Sequence, residues 1–249
     1  MEIDWHARFS QQTRWTKSLR EYLLSKLTID LNSQVLEVGC GTGAVTSDFL
    51  NYHPCLLYGL DINFSHCEIA TRNSDKFSVS NGDVYFLPYP SGSFDIIFCH
   101  YILLWLTSPV DALSEIKRVL KPGGHFLVFA EPDYGARIDH PSSLSVLGNL
   151  QKTSLIKQGA NPLIGRQVAS LVSSSGFDQI NYGISGYETL AGKLPEWWES
   201  EWNVIQYDLE NLIAPEELND LKILDYQCWM DGSRVLWVPT FYLSCIKPL

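Results

Sequence analysis

Glu37, Gly39, Gly41 and Gly43 fall within one short stretch, QVLEVGCGTGAV, residues 34–45. Glycines so spaced behind an apolar run let the backbone come close to a ligand, and a helix opening at Ala44 would aim its free amide groups at the same place. Such a loop suits a nucleotide. Gly39, Gly41 and Ala44 also satisfy the loose dinucleotide pattern, so the glycines alone leave the ligand open. Glu37 narrows it. A carboxylate at the carboxyl end of the strand repels a pyrophosphate and suits a cation.

A nucleoside-like ligand with positive charge and no phosphate meets both conditions, and S-adenosylmethionine is such a ligand. Two further acids lie at or beyond the ends of strand-like runs: Asp61 closing the run YGLDI, and Asp83 in NGDV, followed by Val84. Asp61 has an ordinary reading as a strand-end turn former, and Glu37 as a helix-cap or ion-pair residue. His100 ends another apolar run, FDIIFCH, and its side-chain type allows it to take a proton near neutrality. A histidine satisfied by its neighbours at a strand end is the competing reading.

These residues require elements that bring them to one edge. Strand-like QVLEV, CLLYGLDI, FSVSN, FDIIFCH and HFLVFAE alternate with helix-like AVTSDFLNY, SHCEIATRN and SPVDALSEIKRVL between residues 34 and 131. Ser108 is placed as a helix N-cap, with Pro109 in the first turn and Gly123 beyond the end. Short connections of this kind predict an α/β fold with a parallel sheet covered on both faces. Two later β-rich segments, FDQINYGISGY and RVLWVPTFYLSCI, are separated by about 45 residues of helical pattern, too many for a hairpin turn.

The composition supports a packed protein: 45% hydrophobic, 12% aromatic and 18% charged over 249 residues. A net charge of −10 repels a phosphate backbone, so nucleic acid is not an expected partner. No apolar run reaches the roughly 18 residues that span a bilayer, and the N-terminus is mixed and polar; a cytoplasmic location without a membrane partner is expected. The six cysteines show no paired spacing, so no metal site is expected.

In order and spacing the segments resemble the class I S-adenosylmethionine-dependent methyltransferases, in the small-molecule branch whose motifs are like those of ubiquinone and menaquinone biosynthesis. LEVGCGTG is similar to the family's first motif, and EIKRVLKPGGHFLV to the helix and turn before its fifth strand. The resemblance implies a Rossmann-like, seven-stranded, mostly parallel sheet with an antiparallel last strand and helical insertions capping the active site. It implies S-adenosylmethionine as cofactor and S-adenosylhomocysteine as product. Glu37, Gly39, Cys40, Gly41, Gly43, Asp61, Ile62, Asp83, Val84 and His100 would hold the cofactor, Asp61 at the ribose and Asp83 at the adenine amino group.

One domain over 1–249 is expected: an N-terminal helical cap (1–30), a cofactor-binding core (31–135), helical insertions over the acceptor site (136–175 and 190–233) and late strands (176–189 and 234–249). The acceptor pocket would draw on Tyr101, Trp105, Glu131, Tyr134, Trp5 and Trp197, with plain core packing the default for Trp105. Two adjacent tryptophans, Trp197 and Trp198, cannot both face one narrow core stripe of a helix. Transfer to oxygen or nitrogen of a small molecule is the expected chemistry, with His100 the one candidate base. A nicotinamide-dependent oxidoreductase and a cofactor-binding protein without catalysis are the alternatives.

Overall fold

The computed structural model describes residues 3–186 and 190–249. Tyr187 to Thr189, expected at a late strand's end, lie outside the described residues.

Seven strands form one sheet: β1 (Gln34–Val38), β2 (Leu56–Asp61), β3 (Ser78–Asn81), β4 (Phe94–His100), β5 (Leu120–Pro132), β7 (Asp178–Ser185) and β9 (Thr240–Ile246). Their order is β3-β2-β1-β4-β5-β9-β7, with β9 antiparallel to both neighbours and the first five strands parallel. Strand order reverses between β1 and β4, and in a doubly wound sheet a ligand crevice opens beyond the carboxyl ends at that point.

The period of two sets the layers. Leu36 and Val38 of β1 with Ile97 and Cys99 of β4 pack under α5 (Pro109–Val119) and α7 (Val168–Ser174). Val35, Ile96 and Phe98 face the other side, under α2 (Lys17–Leu24) and α3 (Ala44–Leu50). There Phe98 stacks between Phe49 and Phe129 at ring separations of 5.1 and 4.7 Å. Glu37 shares the parity of Val35, so its carboxylate points into this second layer. Ser108 takes the N-cap position of α5, but its side chain makes no cap bond; Pro109 and the acidic Asp111 supply the start.

A third core forms the cap: α6 (Ser145–Lys157), α8 (Trp198–Leu209) and α9 (Pro215–Met230) close around Leu147, Trp198, Trp202 and Trp229. The segments 136–175 and 234–249 differ here from the expected division. β6 (Ile138–His140) lies within the first and β8 (Val235–Trp237) within the second, and the two pair as an antiparallel ribbon. Pro239 ends the ribbon before β9, so the late strand is two strands. Buried charges hold ribbon to helices: Arg234 binds Asp139 at 2.7 Å and Asp225 at 2.6 Å, and Asp225 also accepts the indole N–H groups of Trp198 and Trp202 at 2.6 and 2.9 Å.

Candidate active site

The carboxyl ends of β1, β2 and β4 open into a cavity of about 720 Å³. Its floor is the glycine loop. Gly39, Gly41 and Gly43 all have positive φ (72°, 51° and 78°), the left-handed region glycine favours. A Cβ on Gly39 would lie 2.5 Å from Ile102, so the loop could not sit this close to the β4 exit with another residue.

Three acids fix the floor and its rim. Glu37 is fully buried and accepts a hydrogen bond from Thr46 of α3. Burial pushes its carboxyl up to about 8, against the pull of Thr46 and Arg20. Asp61 Oδ2 accepts the Gly41 amide at 2.8 Å and Oδ1 that of Asn63 at 2.8 Å, so one carboxylate joins the glycine loop to the β2 exit. Asp83 Oδ1 caps the turn Val84–Phe86 through the Tyr85 amide at 3.0 Å. Glu37, Gly39, Cys40, Gly41, Asp61, Ile62, Asp83, Val84 and His100 all line the cavity; Gly43 sits behind them as the N-cap of α3.

Among the described lining residues the carboxylates are Glu37, Asp61, Asp83, Glu201 and Asp208, and the sole lysine or arginine is Arg8. The three at the floor, Glu37, Asp61 and Asp83, fit a cationic nucleoside such as S-adenosylmethionine and disfavour a pyrophosphate. No group of histidine, cysteine and acid side chains suited to a metal ion occurs among the described residues.

The roof comes from the N-terminus. α1 (Trp5–Trp15) and α2 meet at Thr16, and Trp5, Arg8, Phe9, Gln12, Trp15 and Thr16 face the cavity. His6 Nδ1 lies 2.8 Å from the Thr42 hydroxyl, tying α1 to the glycine loop. Arg8 Nη1 is 2.5 Å from Glu201 Oε2, tying it also to α8. Burial works against the Arg8 charge, and the Glu201 carboxylate more than restores it.

His100 ends β4 inside the cavity, its Nε2 engaged by Thr16 Oγ1 at 2.9 Å. Burial, with the Arg20 guanidinium nearby, pushes its imidazole down to about 3, so it stays neutral at physiological pH. Tyr101 follows with a positive φ of 55°, a strained turn for a bulky residue that brings its ring beside His100. Tyr134, Trp5 and Trp197 also line the cavity. Trp105 does so as well but is 47% exposed, so it is a mouth residue and not packed core. Trp197 faces the cavity while Trp198 turns into the cap core, dividing the adjacent pair.

Glu131 corrects the expected pocket: it is absent from the described lining of the cavity. Its carboxylate accepts the backbone amides of Ile102, Leu103 and Leu104 at 2.9, 2.7 and 3.2 Å. It is a clamp on the β4 exit, fully buried, with burial pushing it up to about 8 against those three amides.

A family model described as a methyltransferase domain matches residues 36–128, the span from β1 to β5 that carries this floor. Residues 36–128 form a class I methyltransferase domain. An uncharacterized methyltransferase of Schizosaccharomyces pombe is 34% identical over 148 residues, covering 54% of this chain and 53% of that protein. A sterol 24-C-methyltransferase of the same organism is 33% identical over 132 residues, 49% of this chain and 35% of that one. The chain spans about half the length, or less, of these curated relatives. The methyltransferase fold extends past the matched span. A Haemonchus contortus phosphoethanolamine N-methyltransferase, solved with phosphomonomethylethanolamine and S-adenosylhomocysteine, superposes with a TM-score of 0.62 at 16% identity, over 94% of this chain and 53% of that one. The cofactor of this methyltransferase domain is S-adenosylmethionine, which leaves as S-adenosylhomocysteine.

Sequence reasoning placed the floor but missed Arg8, Gln12, Thr16, Glu201 and Asp208. The helical spacing of Arg8, Gln12 and Trp15 was a visible signal that one face of α1 carries site residues. For Glu201 and Asp208, seven residues apart on α8, no local signal separates them from solvated acids.

Proposed function

We propose that the protein transfers the methyl group of S-adenosylmethionine to an oxygen or nitrogen atom of a small-molecule acceptor. The observation that carries this is the charge of the cavity wall: carboxylates at the β1, β2 and β3 exits, and one guanidinium already paired. S-adenosylmethionine supplies an activated methyl on a sulfonium, and its departure as a neutral thioether needs no acid. What the protein must do is align an acceptor in line with the carbon–sulfur bond and keep water out.

The residues present serve both tasks. Asp61 and Asp83 stand at the β2 and β3 exits to receive the ribose hydroxyls and the adenine amino group, and Glu37, whose carboxyl burial pushes up to about 8 in the free site, ionises as the positive end binds. α1 and the cap cover the reacting centre with Trp5, Phe9, Trp15 and Trp197, which supports water exclusion. A cavity of about 720 Å³ roofed by α1 favours a metabolite over a nucleic acid or protein, and the net charge of −10 agrees. Among the described residues no helix is long and apolar enough to cross a membrane.

Incubation of the purified protein with methyl-labelled S-adenosylmethionine and a metabolite extract tests this reading. Label should enter a small-molecule fraction that protease and nuclease leave intact. Label confined to protein or nucleic acid contradicts the acceptor class.

A further inference from the structure

If the cavity binds a methyl acceptor as proposed above, its acceptor wall selects by charge. α8 carries Glu201 and Asp208 two turns apart, on one face of the helix. Both line the cavity, and both lie in the field of Arg8 and Tyr134. Arg8 is committed: its guanidinium holds Glu201 at 2.5 Å, donates to Gln11 at 3.1 Å and lies 4.9 Å from the centre of the Trp15 ring. Asp208 has a weaker partner. Its Oδ1 accepts from the Gln158 amide at 3.2 Å, a neutral donor.

The wall therefore holds two carboxylates against one guanidinium, among side chains that are otherwise neutral, such as Gln158, Tyr134 and Trp197. Burial and the Glu201 charge both push the Asp208 carboxyl up, so the wall without ligand is short of one positive charge. A phosphate or carboxylate on the acceptor would find no cation there that is not already paired. An ammonium would find a carboxylate in a lining that also holds the Tyr134 ring, and an aromatic ring favours a cation over its face.

We propose that the methyl acceptor carries a cationic ammonium group and that Asp208 is the residue that selects it. Recognition of this kind takes no proton from the ammonium; it fixes one end of the acceptor so that the other approaches the sulfonium methyl. Glu201 contributes through Arg8, whose charge it holds away from the acceptor.

The test uses the intact protein saturated with S-adenosylhomocysteine, titrated calorimetrically at pH 7 with primary amines and their matched alcohols: benzylamine with benzyl alcohol, and tryptamine with tryptophol. The amine of at least one pair should bind about tenfold or more tighter than its alcohol, the scale of one charge-assisted contact. Asp208→Asn should abolish that preference while leaving S-adenosylhomocysteine affinity within about twofold, since Asp208 stands on the cap. Equal or absent binding of both members of every pair overturns the inference, as does a preference that survives in Asp208→Asn. Should that variant fail to fold, the amine preference of the unaltered protein decides alone. Failure of S-adenosylhomocysteine itself to bind removes the methyltransferase reading, and this inference with it.

Discussion

His100 and Thr16, 84 residues apart in sequence, are joined by a 2.9 Å hydrogen bond between imidazole and hydroxyl. The bond fastens the end of β4 to the elbow between α1 and α2, and Arg20 donates to the same hydroxyl oxygen at 2.6 Å. A histidine so placed holds the roof on the site. Its imidazole, held down near 3, is a weak base for an acceptor proton.

His100→Ala and Thr16→Val should therefore each lower stability by about 1–2 kcal/mol, the scale of a buried hydrogen bond. The turnover profile should show no limb near pH 6.5 belonging to His100. The folded-state pKa lies below the unfolded one, so the contribution of His100 is present above pH 6.5 and fades as pH falls toward 3. Denaturant unfolding of wild type and variants from pH 4 to 8 measures this. A fall in turnover of about 100-fold in His100→Ala, with stability unchanged, would instead make the histidine a base.

Glu37 makes cofactor binding depend on pH. In the free site its carboxyl is pushed up to about 8, whereas a sulfonium or ammonium nearby favours the ionised form. S-adenosylmethionine affinity should thus rise between pH 6 and 8 with release of a proton on binding, and Glu37→Gln should remove both effects. The free protein should lose stability over the same interval, because the folded pKa exceeds the ordinary 4.5 and the benefit of the neutral form is lost as pH climbs toward 8. Titration in buffers of different ionisation enthalpy counts the proton.

Asp61 holds the Gly41 and Asn63 amides, and the proposed function gives it a second task at the ribose. Asp61→Ala should weaken S-adenosylmethionine binding by about 2 kcal/mol or more, the scale of a lost charge-assisted pair. Asp61→Asn, which keeps one acceptor oxygen for the loop, should lose less. Unchanged affinity in both variants would remove the ribose assignment.

Arg8 and Glu201 latch the N-terminal helix to the cap from opposite sides of the cavity. Their side chains are only 10% and 16% exposed, so solvent screens the pair less than a surface bridge. A double-mutant cycle with Arg8→Met and Glu201→Gln should return a coupling of about 1–3 kcal/mol in stability. Each single variant should release S-adenosylhomocysteine faster than wild type. A coupling near zero would mean that the roof is held by packing alone.

The sheet was legible because its central strands are short apolar runs separated by helical patterns, and QVLEV and FDIIFCH coincide with β1 and β4 residue for residue. The acids at its carboxyl edge were legible for the same reason: a strand end fixes where its last side chain stands. The acceptor wall was not. Trp197 and Trp198 are chemically identical neighbours, and only the tertiary contact of Trp198 with Asp225, 27 residues on, decides which one enters the core. Glu131 misled because its partners are backbone amides, which no side-chain pattern announces. The ribbon of β6 and β8 was hidden because each strand is three residues long, below the length at which alternation can be read.

Calorimetric titration of the purified protein with S-adenosylmethionine and S-adenosylhomocysteine, with NADH as control, tests the central claim most directly. The charge and shape of the cavity predict micromolar binding of the first two and none of the third. Binding of NADH alone, or silence from all three in a folded protein, would contradict the reading of Glu37 and the glycine loop on which the account stands.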